Sequence, residues 1–271
     1  SPERLQVEAL YAAPFHNDRS TGPGDGMEKS REELLRLTKL LGVSPSGLVH
    51  RGASRFLGPD LDPCSSDATT DLVARSMATD PEVGPLYVAA IGAITNVASA
   101  ILLEPRIIER IVVVWLGGHA LQWPVQDEFN LRQDVASARL VMDCGVPLVH
   151  IPCLPVASHL QTTLPEIECY ADGAGPIGSY LAGLFRGYHD DPFAWSKVIW
   201  DLAAVAWLLN PDWVETELEP SPVLTRERTW DRDPSRHSIR IGRYVHRDAI
   251  FGDLFRKLRH ADPGAASGSA Q

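Results

Sequence analysis

Residues 115–134, WLGGHALQWPVQDEFNLRQD, set a carboxylate at Glu128 and a carboxamide at Asn130 two positions apart, with Phe129 between them. A carboxylate only accepts hydrogen bonds, whereas a carboxamide both donates and accepts, so the pair can orient a polar ligand. His119, Gln122 and Trp123 stand on the same stretch. A second candidate is Asp201, which sits inside the apolar run of residues 195–209. An unpartnered buried carboxylate is costly. Three partners would satisfy it: the N–H groups of a helix start, an arginine, or a hard cation such as Ca²⁺, which takes carboxylate and carbonyl oxygens. Spacing alone leaves all three open. His16, Asn17 and Asp18 form a third polar group in a segment rich in Gly, Asp, Asn and Ser. There, hydrogen bonds within a turn are the plainer use of Asn17 and Asp18.

The elements that must position these groups follow from hydrophobic pattern. Residues 111–115 (IVVVW) are continuously apolar and β-branched, as in a central parallel strand buried on both faces. The pattern breaks at Gly117-Gly118, which puts His119 to Asn130 beyond the strand's carboxyl end. Residues 86–91 (LYVAAI) predict another strand, leading through Gly92 and Ala93 into a helix over 95–103 with Thr95 as its candidate cap. Further strands are predicted over 5–12, 48–50 and 147–152. Helices are predicted over 28–41, 66–78, 134–144, 177–188, 193–209 and 247–258. Residues 221–241 read as charged and irregular, and 260–271 as a disordered tail. Alternating strands and helices predict a single α/β domain over 1–259, with a mainly parallel central sheet flanked by helices. In such sheets ligands bind at the carboxyl ends of strands. The 115–130 loop and the 153–159 segment, which ends in His159, both fall there.

The chain has 271 residues, 44% of them hydrophobic, with 35 acidic against 25 basic side chains and a formal charge of −10. That balance favours small-molecule or cationic partners and argues against nucleic acid, whose phosphates need a basic face. The longest apolar run, residues 202–209, falls far short of the roughly 20 residues of a membrane span. Cys64, Cys144, Cys153 and Cys169 show no CxxC spacing, which favours reduced thiols over zinc or disulfides and fits a cytoplasmic home.

Four stretches in one order, IGAITNVASAILLEP (91–105), VVVWLGGHA (112–120), EFNLRQDVASARLV (128–141) and WDLAAVAWLLNP (200–211), resemble the inosine–uridine-preferring nucleoside hydrolases. APFHNDRS with GMEKS (13–30) and WSKVIWD (195–201) resemble one branch of that family, and the likeness runs to about residue 258. The resemblance implies a single α/β domain, a Ca²⁺ at the strand ends, and hydrolysis of the N-glycosidic bond of ribonucleosides in purine or pyrimidine salvage. It implies ribose contacts for Glu128, Asn130 and Asn17. It further implies metal ligation by the Asp201 carboxylate and the backbone carbonyl of Ile91, and possible homo-oligomers. A non-catalytic nucleoside- or ribose-binding homologue is the alternative.

Two departures accompany the resemblance. The family signature D-x-D-x-x-x-D-D, which supplies further metal carboxylates and the general base, does not occur in this chain. The resemblance therefore implies a general base and a first strand upstream of Ser1, and little or no activity from these 271 residues alone. Trp200 stands where many members have a histidine that assists the leaving base. That task passes to stacking by Trp200 or Trp123, to His119, His159 or His246, or to water, with core packing the equal alternative for the tryptophans.

Overall fold

The computed structural model describes residues 3–80 and 82–260. Its centre is a strand packed on both faces, with every residue but Val112 buried. Within Ile111–Leu116, Val113 and Trp115 point into one core layer and Val114 and Leu116 into the other. An apolar run with no polar alternation is what two buried faces require.

Among the described residues, ten further strands and nine α-helices lead to and from it. In chain order they begin with β1 (Leu10–Tyr11), α1 (Pro23–Leu40), β2 (Val49–His50), α2 (Asp67–Ala78), β3 (Leu86–Ala90), α3 (Thr95–Leu103) and β4 (Ile111–Leu116). Next come α4 (Phe129–Gln133), α5 (Val135–Asp143), β5 (Leu148–Ile151), β6 (Gln161–Thr163), α6 (Leu164–Tyr170), α7 (Gly175–Arg186) and β7 (Ser196–Val198). The last are α8 (Leu202–Leu209), β8 (Val214–Pro220), β9 (Val223–Leu224), β10 (Trp230–Asp231), β11 (Ser238–Val245) and α9 (Arg247–His260).

The main sheet runs β3-β4-β5-β11-β8. Its first three junctions are parallel, with Val113 beside Leu148 and Arg240 beside Val149, and β8 closes it antiparallel to β11. On one face α2, α3 and α5 contribute Leu72, Val97, Ile101 and Val141 to the core. On the other, α7, α8 and α9 contribute Phe185, Ala203, Ala204, Phe251 and Phe255. Separate two-stranded ribbons are made by β1 with β2, β6 with β7, and β9 with β10. The expected α/β class and mainly parallel sheet are what the structure shows.

Several expectations are corrected. The helix expected over 193–209 is instead β7, a turn and the eight-residue α8. Ser196–Val198 is drawn into antiparallel pairing with β6, and Trp195 stacks between Tyr188 and His189. Asp201 therefore stands at the start of a helix rather than in its middle. The stretch expected to be irregular holds β9, β10 and the start of β11. α1 begins at Pro23, five residues early, because proline suits the first helical turn. The strand expected over 5–12 shortens to β1. Thr95 caps nothing; its hydroxyl donates to Asp134 at 2.6 Å. α9 extends through His260, the first residue of the expected tail, and residues 261–271 lie outside the described ones. No described helix is long and apolar enough to cross a membrane. The four cysteines are free thiols, with Cys64 and Cys153 buried.

Candidate active site

The end of β4 is shaped by two glycines. A Cβ on Gly117 would fall 2.3 Å from the Trp115 ring, so only a bare backbone can cross it. Gly118 has φ +66°, and a Cβ there would lie 2.9 Å from Leu131 and 3.3 Å from the Gln126 amide oxygen. The chain then loops out and returns to Glu128, the N-cap of α4. One Glu128 oxygen accepts the N–H of Asn130 at 2.9 Å. The other accepts the N–H groups of Leu131 at 2.9 Å and Gly118 at 2.8 Å. A single carboxylate thus ties the strand end to the helix start. Asn130 donates its Nδ2 to the Leu116 carbonyl at 3.0 Å, which leaves its Oδ1 with no partner among the described residues.

Inside the loop, His119 is held at three points. Its N–H donates to Gln126 Oε1 at 2.6 Å, and its carbonyl accepts from Trp230 Nε1 at 3.0 Å. Its ring Nδ1 accepts the Leu154 N–H at 3.3 Å, which assigns the ring proton to Nε2. Burial lowers the affinity of this imidazole for a second proton, slightly offset by Asp127. The β9–β10 hairpin supplies both Trp230 and the Arg228 carbonyl, which accepts the Gln126 N–H at 2.6 Å.

Across from this loop, the turn after β7 delivers Trp200 and Asp201. Asp201 has helical backbone angles, but its carboxylate caps no N–H and has no ion-pair partner among the described residues. It is exposed at the wall of the cleft. Partial loss of solvent around its carboxylate, together with the negative charge of Glu128, pushes its carboxyl up to about 6, with Lys197 opposing. The Cys153 thiol is pushed up as well, by burial first and then by Glu128 and Asp201.

These groups line a cleft of about 480 Å³ at the carboxyl ends of β3, β4 and β5. Of the residues singled out from sequence, Ile91, His119, Glu128, Asn130, Trp200 and Asp201 line it, and Trp123 does not. Asn17 is not among the lining residues. Its Oδ1 accepts the Arg19 N–H at 2.9 Å and its N–H donates to Ser20 Oγ at 3.2 Å, a closed turn. His159 and His246 flank Tyr244 away from the cleft. Gln126, Cys153 and Trp230 were not anticipated; the buried amide of Gln126 between charged and apolar neighbours leaves no pattern in sequence. A groove of about 300 Å³ beside α9 has different chemistry, since its carboxylates Glu166 and Asp248 are both paired with Arg247.

Ca²⁺ takes roughly six to eight oxygen ligands. Asp201 and the Ile91 carbonyl could supply two. No group of three or more His, Cys, Asp or Glu that could hold a metal occurs among the described residues. Glu128 has three of its acceptor positions filled by N–H groups. The described residues therefore do not complete a Ca²⁺ site.

Comparison with known proteins gives a consistent picture. A family model described as inosine-uridine preferring nucleoside hydrolase matches residues 11–252. The chain is 28% identical over 176 residues to an uncharacterized protein of Schizosaccharomyces pombe, covering 60% of this chain and 56% of that one. It is 26% identical over 178 residues to a pyrimidine-specific ribonucleoside hydrolase of Shigella flexneri, covering 61% and 56%. The match thus spans little more than half the length of these curated relatives. Among solved structures, a plant nucleoside hydrolase superposes with a TM-score of 0.71 at 15% identity, over 94% of this chain and 91% of that one. A purine-preferring ribonucleoside hydrolase from Gardnerella vaginalis gives 0.71 at 19% identity, over 96% and 92%. These likenesses show the fold.

Proposed function

The chain belongs to the inosine–uridine preferring nucleoside hydrolase family, and from that premise we propose that its cleft binds ribonucleosides and hydrolyses their N-glycosidic bond to free base and ribose. The observation that carries the reading is the pairing of two unspent acceptors in one cleft, the Asp201 carboxylate and the Asn130 Oδ1. A carboxylate has about four acceptor positions, and Glu128 keeps one after its three N–H bonds. Ribose hydroxyls are donors that match these acceptors. Trp200 offers a flat apolar wall for a base.

Glycosidic cleavage passes through an oxocarbenium-like transition state, with positive charge growing on the sugar. Fixed negative groups beside that sugar stabilise the transition state more than the neutral substrate. Asp201 and Glu128 are so placed for a sugar held at Asn130. The oxygen of a water bonds to C1′, the C1′–N bond breaks with its electron pair going to the base, and the water's second proton passes through solvent to the base.

Release of reducing sugar from inosine, uridine and cytidine tests this reading. With no D-x-D-x-x-x-D-D motif to supply a base, the chain should release ribose from at least one of them only slowly, and Asp201→Asn should slow release further, by about 100-fold or more. No release from any nucleoside would overturn hydrolysis. The incomplete cation donor set favours a second reading, nucleoside binding without turnover. Saturable quenching of tryptophan fluorescence by a nucleoside that is never cleaved would establish it.

A further inference from the structure

Departure of a nucleobase leaves the electron pair of the broken C1′–N bond on the base. The charge collects on its carbonyl oxygens or ring nitrogens, and a donor fixed beside those atoms stabilises it. Among the described residues lining the cleft, His119 carries the one imidazole. Its Nδ1 is filled by the Leu154 N–H, so the free ring atom is the donor Nε2–H. Its backbone is held on both sides, by Gln126 and by Trp230, and its ring lies 5.6 Å from that of Trp123. A residue held at two backbone atoms and at two places on its ring has little freedom left to lose when a ligand arrives. Other imidazoles are occupied elsewhere: His150, behind the strand end, bonds to the Gly117 carbonyl at 2.6 Å, and His246, away from the cleft, to Glu215 at 2.8 Å.

We propose that the Nε2–H of His119 is the hydrogen-bond donor that receives the departing nucleobase, and that it favours bases presenting a carbonyl oxygen or ring nitrogen there. The proposal rests on the hydrolase reading above. His119 keeps its proton throughout: it donates a hydrogen bond to the charge on the base, while the proton that finally neutralises the base comes from the attacking water through solvent. His119 thereby fills, from the β4 loop, a place that Trp200 cannot fill from the start of α8.

Two substrates separate this role from a structural one. Nucleosides need leaving-group help, whereas 4-nitrophenyl β-D-ribofuranoside releases a stable anion. His119→Phe keeps a ring against Trp123 without a donor, and His119→Gln keeps an N–H. For His119→Phe, kcat on the nucleoside should fall about 100-fold and kcat on the nitrophenyl riboside at least tenfold less, with His119→Gln recovering part of the loss. Equal losses on both substrates would assign His119 to scaffold alone, and unchanged nucleoside turnover would remove it from the reaction; either overturns the proposal. Nitrophenyl riboside turnover by the wild type without any nucleoside turnover overturns it as well. Turnover of neither substrate overturns the hydrolase reading instead. Independently of activity, ¹⁵N spectra of the wild-type imidazoles should show His119 protonated at Nε2, and the Nδ1–H tautomer would refute the assignment.

Discussion

The carboxylates of Glu128 and Asp201 face one cleft in opposite states of satisfaction. Glu128 holds three backbone N–H groups, and Asp201 holds none. Replacing Glu128 by glutamine keeps the shape but removes the charge and sets an NH₂ group against an N–H. Charge-assisted hydrogen bonds contribute about 1.5–3 kcal/mol each, so Glu128→Gln should destabilise the protein by about 2–3 kcal/mol, read as a lower urea midpoint with an unchanged m-value. A midpoint within error of wild type would show that the three bonds contribute little. The Glu128-Asn130 pair is visible in sequence as a polar constellation. Its main partners are not, because a side chain that bonds the N–H of Gly118 does so only after ten residues of loop have closed.

Elements join through a second buried carboxylate. Asp134 caps α5 through the Ser137 N–H at 3.1 Å, and also takes the hydroxyls of Thr95 and Ser137 and the N–H of Leu57. One residue therefore links α3, α5 and the loop before α2. Asp134→Ala leaves all four donors without this acceptor in a buried place. It should cost about 3–4 kcal/mol, measurable by chemical denaturation; a loss under about 1 kcal/mol would mean that water replaces the carboxylate. The parallel core was readable at this scale, since IVVVW and LYVAAI leave little choice between strand and loop. β7 was not, because the apolar run 195–209 is long enough for a helix and its pairing with β6 is a contact between distant residues. β8 and β11 were missed for another reason. Charged residues occupy their outward positions, and their burial is patchy rather than strictly alternating.

At the scale of the whole molecule, two core layers meet through the sheet, and His150 on β5 is buried between them. Its Nε2 donates to the Gly117 carbonyl at 2.6 Å, while its Nδ1 has no partner among the described residues. Burial holds its folded-state pKa down to about 4 against an ordinary 6.5. The unfolded chain therefore binds the proton first as pH falls. The stability that His150 contributes is full above about pH 6.5 and declines from there down to about pH 4, by about 3 kcal/mol, while Asp201, with its carboxyl raised, acts in the opposite sense over that window. His150→Phe should raise the urea midpoint at pH 4 relative to pH 7 compared with wild type, and an identical pH slope in the variant would exonerate His150. The fold is thus more readable from sequence than its site, since sheet order follows hydrophobic runs whereas the site depends on which donors are already spent. One such spent donor has a longer reach. Gly118 and Glu128 fasten the mouth of the loop between them, while its far side, residues 122–125, faces solvent. A loop closed at its mouth can change length and sequence on its far side without shifting Asn130 or Asp201.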